Sequence, residues 1–208
     1  MSDGYRTIRD RAQDELEEKK SRFIAQLCPV TGEEQAVEFI NSVKAQNRKA
    51  RHNVYAYILR ADNISRYSDD GEPQGTGGVP VLETLKGAGL TDVCCVVTRY
   101  FGGVLLGTGG LARAYSGACK LAVNAAQVME ICRCSKFEIA CDYDLYGRLT
   151  RLLPEYGAKT LAEEFAENVR LTVIVKSNLA EAFRDEVTDA SNGRAEITET
   201  VDLYEDFA

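Results

Sequence analysis

SDDGEPQGTGGVP at residues 68–80, VCCVVTRYFGG at residues 93–103 and VLLGTGGLAR at residues 104–113 hold nine of the chain's seventeen glycines in about a sixth of its length. Glycine costs conformational entropy wherever it sits. Such clustering therefore predicts backbone that turns with positive φ, packs closely, or lets a ligand approach. Val93 to Tyr100 reads as a strand, with Cys94 and Cys95 on opposite faces. After it, Leu111, Ala114, Tyr115, Ala118, Leu121, Ala122, Ala125 and Val128 form one apolar stripe. Arg113, Ser116, Lys120, Asn124 and Gln127 lie opposite, so a helix starting near Gly110 lies on a sheet.

Outward from this stretch, KSRFIAQLCPV (20–30) and HNVYAYILR (52–60) read as strands. Between them Ala36, Val37, Ile40 and Val43 recur at helical spacing. Pro80 suits the first turn of a short helix that Gly87 and Gly89 stop. From Lys136 a second rhythm begins: strand 136–143, helix 145–156, strands 159–165 and 168–176, helix 179–190, strand 194–203. This β-α-β-β-α-β order is the split pattern of a ferredoxin-like domain. The expected class is α+β, with domains at residues 1–132 and 133–208.

The chain has 208 residues and 45% hydrophobic content, the composition of a core-forming protein. No apolar run suits a bilayer span, and MSDGYRTIRDRAQDELEEKK lacks the apolar stretch of a secretory signal, so a cytoplasmic protein is expected. Seven cysteines read as small buried hydrophobes in a reducing compartment. One histidine and no Cys-x-x-Cys argue against a structural metal. Lys and Arg against Asp and Glu count 17 to 16 over residues 1–135 and 8 to 16 over residues 136–208, so the net −7 belongs to the C-terminal third. Basic clusters at Lys19, Lys20, Arg22 and at Lys44, Arg48, Lys49, Arg51 read as an anion or nucleic-acid patch, or as mixed solvated surface.

The chemistry-bearing residues crowd into the opening stretch. GTGG before a helix offers free backbone N–H groups and a positive dipole end, so Gly107, Thr108, Gly109 and Gly110, with Arg113, form either a phosphate seat or a tight turn. A P-loop lysine is missing. Ser68, Asp69, Asp70 and Glu72 could hold magnesium beside substrate phosphates, or simply build a turn. His52 with Ser68 and Asp70 has the composition of a hydrolytic triad, against which stands a core-edge histidine on the face of Val54 and Ala56. Arg99, Tyr100 and Phe101, followed by Gly102 and Gly103, read as a stacking platform for single-stranded RNA or as core caps.

KKSRFIA (19–25), RHNVYAYI (51–58), SDDGEPQGTGG (68–78) and TRYFGGVLLGTGGLARAY (98–115) resemble, in order, the motifs of the YigZ/IMPACT family, and the C-terminal pattern resembles the second domain of its bacterial branch. Gln74 and Gly78 stand where small residues such as Ser or Ala are more familiar, and Val79 where Lys is common. The resemblance implies a ribosomal protein S5 domain 2-like fold, then a domain like the C-terminal domain of elongation factor G. It further implies a role near translation, since eukaryotic IMPACT relatives bind an activator of a stress kinase. The expectation is a non-enzymatic binding protein without cofactor or metal, contacting RNA, the ribosome or a translation-associated protein through its N-terminal domain. The alternative is an enzyme acting on a phosphorylated small molecule, which requires Asp69, Asp70, Glu72 and Arg99 to converge on one pocket.

Overall fold

The structure, a computed structural model, describes residues 4–207. In chain order its elements are β1 (Gly4–Ile8), β2 (Ala12–Glu18), β3 (Ser21–Pro29), α1 (Glu33–Gln46), β4 (His52–Leu59), β5 (Ile64–Ser68), α2 (Gly78–Gly87), β6 (Val93–Tyr100) and α3 (Gly107–Ala125). There follow β7 (Val128–Cys141), α4 (Tyr143–Leu152), β8 (Lys159–Phe165), β9 (Val169–Lys176), α5 (Ser177–Ser191) and β10 (Glu196–Asp206). Five α-helices and two sheets among the described residues make a mixed α+β protein. The chain divides into two compact units, Tyr5–Met129 and the residues from Glu130 onward with Gly4.

In the first unit β2, β3, β6, β4 and β5 form an antiparallel sheet in that order. β6 is its middle strand, and every residue but the last is buried. A strand covered on both faces needs a continuous apolar run rather than alternation, and VCCVV supplies one. Cys95 and Val97 pack with α2 and α3, while Cys94 and Val96 pack on the other face with α1. At roughly 2 kcal/mol per buried apolar side chain, residues 93–97 alone contribute on the order of 10 kcal/mol before entropy is subtracted.

Helix α1 turns Ala36, Phe39, Ile40 and Val43 inward, whereas Val37 is exposed. Spacing of three, four and seven residues fits one face better through Phe39 than through Val37. β1, β2 and β5 are not anticipated by the sequence reading. AQDELEE in β2 carries four acidic residues and only Ala12 and Leu16 as apolar alternates, the composition of an edge strand. It reaches β3 through a two-residue turn at Lys19 and Lys20, whose φ angles of 46° and 64° are the primed-turn geometry that hairpin twist favours.

The second unit is built on β7, which pairs with β9 and with β10, while β8 pairs with β9. Phe137, Ile139, Leu171, Val173 and Val175 face α4 and α5, packing on Leu145, Leu149, Phe183 and Val187. Alternate residues point away from those helices. Asp142 caps α4 by accepting from the Leu145 amide at 2.7 Å.

Candidate functional site

Residues 68–78 leave β5 and enter α2, and their acidic side chains are consumed by the turn. Asp69 accepts from the amides of Gly75 and Gly77 at 2.9 Å and of Gly78 at 2.8 Å, capping α2 from outside. Burial pushes the Asp69 carboxyl up, but the three amide donors outweigh burial and leave it below its ordinary value. Asp70 accepts from Lys44 Nζ on α1 at 2.6 Å and from the Asn53 amide on β4 at 2.7 Å.

Glu72 is buried, and its Oε1 receives Arg99 Nη1 from β6 and the Tyr115 hydroxyl from α3, each at 2.7 Å. Burial, then Glu72, push the Tyr115 phenol far up, so it stays neutral and donates. The loop is thus tied to four other elements. Removing one partner of a buried pair such as Arg99–Glu72 costs about 3–5 kcal/mol, because the other charge is left without compensation.

These contacts fit the turn reading of Ser68, Asp69, Asp70 and Glu72 and the core-cap reading of Arg99 and Tyr100. Arg99 is only 7% exposed and lies between Phe23 and Phe101, its guanidinium 5.5 Å and 5.4 Å from their ring centres. The Tyr100 hydroxyl donates to Asn47 Oδ1 at 2.8 Å, leaving Phe101 alone exposed. Asp69, Asp70 and Glu72 point to three different sets of donors, so the convergence an enzymatic reading needs is not formed. His52 Nδ1 lies 2.9 Å from the Asp70 carbonyl, not its carboxylate, and Ser68 Oγ accepts from the Asp70 amide, so no triad forms. Among the described residues no group of three or more His, Cys, Asp or Glu is placed to hold a metal ion.

Residues 101–113 are built differently. A Cβ on Gly102 would lie 1.9 Å from the Lys20 carbonyl oxygen, so only glycine lets the chain leave β6 across the β2–β3 turn. Beyond it Val104 and Leu105 are exposed, Leu105 by 82%. Helix α3 starts without a side-chain cap and with no acidic residue in its first turn, so its first amides stay open. A hollow of about 230 Å3 beside it is lined by Leu16, Glu18, Lys19, Leu106, Gly110 and Arg113. Arg113 is exposed, and neither it nor Lys19 has an ion pair among the described residues. Gly109 is the informative glycine: an added Cβ would meet only the exposed Arg113 guanidinium at 3.6 Å, and its φ is not positive. The fold does not require glycine there.

The structure thus separates the sequence-selected residues into two sets. Ser68, Asp69, Asp70, Glu72, Arg99 and Tyr100 serve the interior, while Phe101, Gly107, Thr108, Gly109 and Arg113 remain on the surface. Sequence reasoning placed Tyr115 on the apolar stripe of α3 without its hydrogen bond to Glu72, and it gave Lys44 and Asn53 no part in the loop. No local signal marks any of the three, because their partner lies 17 to 43 residues away.

Comparison with known proteins finds relatives for both parts of the chain. The Impact N-terminal domain model matches residues 19–123, and a domain of unknown function, DUF1949, matches residues 139–194. "IMPACT family member YvyE" of Bacillus subtilis is 38% identical over 200 residues, 96% of this chain and 92% of that protein. "IMPACT family member YigZ" of Escherichia coli is 35% identical over 182 residues, 86% and 89% of the two chains. Human "Protein IMPACT" is 32% identical over 97 residues, 44% of this chain and 30% of that one. A solved structure titled "Crystal structure of an hypothetical protein" is 31% identical, covers 98% of both chains and superimposes with a TM-score of 0.61. With one family model spanning half of the sequence and bacterial relatives aligned over most of their length, the chain belongs to the IMPACT family.

Proposed function

We propose that this protein is a non-enzymatic binding protein linked to translation or its regulation, and that its first unit contacts the phosphate backbone of RNA, free or within the ribosome. The observation that carries the reading is the start of α3: open amides, a glycine at position 109 that packing does not demand, and Arg113 and Lys19 unpaired beside a hollow. Helix N-termini favour anions through free N–H groups and the helix dipole, and glycine allows close approach. All three carboxylates of the neighbouring loop are held by protein donors, and Glu18, the one acidic residue lining the hollow, offsets only one of the two cations there.

Family membership supports the link to translation through what the resemblance implies for eukaryotic relatives. The first unit is read as S5 domain 2-like. The second is read as ferredoxin-like, supported by the order β7-α4-β8-β9-α5-β10 with both helices on one sheet face. Free thiols at all seven cysteines support a cytoplasmic setting.

Ribosome co-sedimentation at low and moderate salt tests the reading. Wild type is expected in the ribosomal pellet, more at low salt, with Lys19→Ala/Arg113→Ala shifted to the supernatant. Wild type remaining in the supernatant at both salts sinks the ribosomal version.

A further inference from the structure

The sheet of the second unit carries a distinctive surface on the face turned away from α4 and α5. Register places Glu196, Ala140, Arg170 and Glu164 in one row across β10, β7, β9 and β8, with Thr198, Glu138, Thr172 and Ala162 in the next. These rows line a trough of about 360 Å3. Its floor is low, because Ala140, Thr172 and Thr198 project little, so another backbone can approach.

The charges are ordered along the first row. Glu196 and Glu164 stand at its two ends, three strand spacings or about 14 Å apart. Arg170 lies between them. Neither end carboxylate nor Arg170 has an ion pair among the described residues, whereas Glu138 in the second row is held by Lys136 at 2.9 Å. From Glu130 onward the chain has 9 Lys and Arg against 17 Asp and Glu, a net of −8, so nucleic acid is repelled here and a cationic protein segment attracted.

We propose that this face docks an extended segment of a partner protein with Lys or Arg at positions i and i+4 and a hydrogen-bond acceptor at i+2. In an extended chain positions i, i+2 and i+4 project to the same side, and i to i+4 spans about 14 Å. The two cations then reach Glu196 and Glu164, and Arg170 donates to the acceptor between them. The site lies on the second unit and does not depend on the RNA reading of the first.

The test titrates two peptides into the 15N-labelled full chain and follows backbone amide shifts: acetyl-Ala-Lys-Ala-Glu-Ala-Lys-Ala-amide, and the same peptide with Lys at the centre. The Glu-centred peptide is expected to bind more tightly despite its lower charge, shifting the amides of Ala140, Thr172 and Thr198. Glu164→Gln/Glu196→Gln is expected to weaken it about fivefold or more. Glu155→Gln/Glu186→Gln, which removes the same charge from exposed positions elsewhere in this unit, is expected to leave it unchanged. Tighter binding of the Lys-centred peptide, equal loss in both double variants, or no shift at the trough with either peptide would each overturn the proposal.

Discussion

Residues 68–78 and residues 101–113 share a composition of glycines with charged and hydroxyl side chains, yet the chain uses them in opposite ways. In the first, every carboxylate finds a donor within the fold, so the polarity is spent on holding α1, β4, β6, α2 and α3 together. In the second, backbone amides and Arg113 lack partners, as does Lys19 beside it in the β2–β3 turn, and apolar side chains face solvent. Hydrogen-bond satisfaction, rather than residue type, separates a structural keystone from a surface available to a ligand.

The largest effect should follow from breaking the keystone. Glu72→Ala is expected to destabilise the first unit by about 3–5 kcal/mol, because Arg99 would be left charged and buried. Urea unfolding of the single variants and of Glu72→Leu/Arg99→Leu checks this, and the double variant should recover a large part of the loss. Additive losses would mean that the pair is not coupled.

Asp69→Asn comes next, at about 1–2 kcal/mol, since the amide oxygen replaces a charged acceptor of three amides, those of Gly75 in the loop and of Gly77 and Gly78 at the start of α2. Sign follows from the pKa: the folded carboxyl lies below its ordinary value, so its contribution is complete above the unfolded pKa. It is lost as pH falls through the folded pKa. Wild type should therefore lose stability relative to Asp69→Asn on acidification below about pH 4. Parallel profiles from pH 6 to pH 2 would remove Asp69 as the titrating cap.

On the open surface, Arg113→Ala should leave stability within about 0.5 kcal/mol, as surface substitutions generally do. RNA binding should fall by about 1 kcal/mol, roughly fivefold, and the salt slope should drop by about 0.7–0.9 if one phosphate contact is lost. Fluorescence anisotropy with a single-stranded RNA oligonucleotide reads both numbers.

Much of the fold was legible because its signals are local. VCCVVTRY declares a doubly covered strand, α3 shows its stripe, and the second unit's strand and helix order follows turn chemistry at Asn192 and Gly193. What escaped was edge structure. β2 and β5 carry too few apolar residues to announce themselves, and their pairing is set by neighbours distant in sequence. The site was legible only as composition. Whether Glu72 faces solvent or Arg99 depends on where α3 places Tyr115, 43 residues on, and no spacing rule reaches that far.

The smallest effect is the most discriminating. Glycine early in a helix is less stable than alanine by up to about 1 kcal/mol, and at position 109 neither φ nor packing demands it. Gly109→Ala should therefore raise the midpoint of urea unfolding slightly while weakening RNA binding, because the new methyl group stands where an anion would approach the backbone. A structural turn predicts a different pair of results, higher stability with binding unchanged. The two regions then part on a single methyl group: on the keystone side, a Cβ at Gly78 would sit 2.9 Å from the Ser68 backbone and cost stability. At Gly109 the cost should fall on the ligand alone.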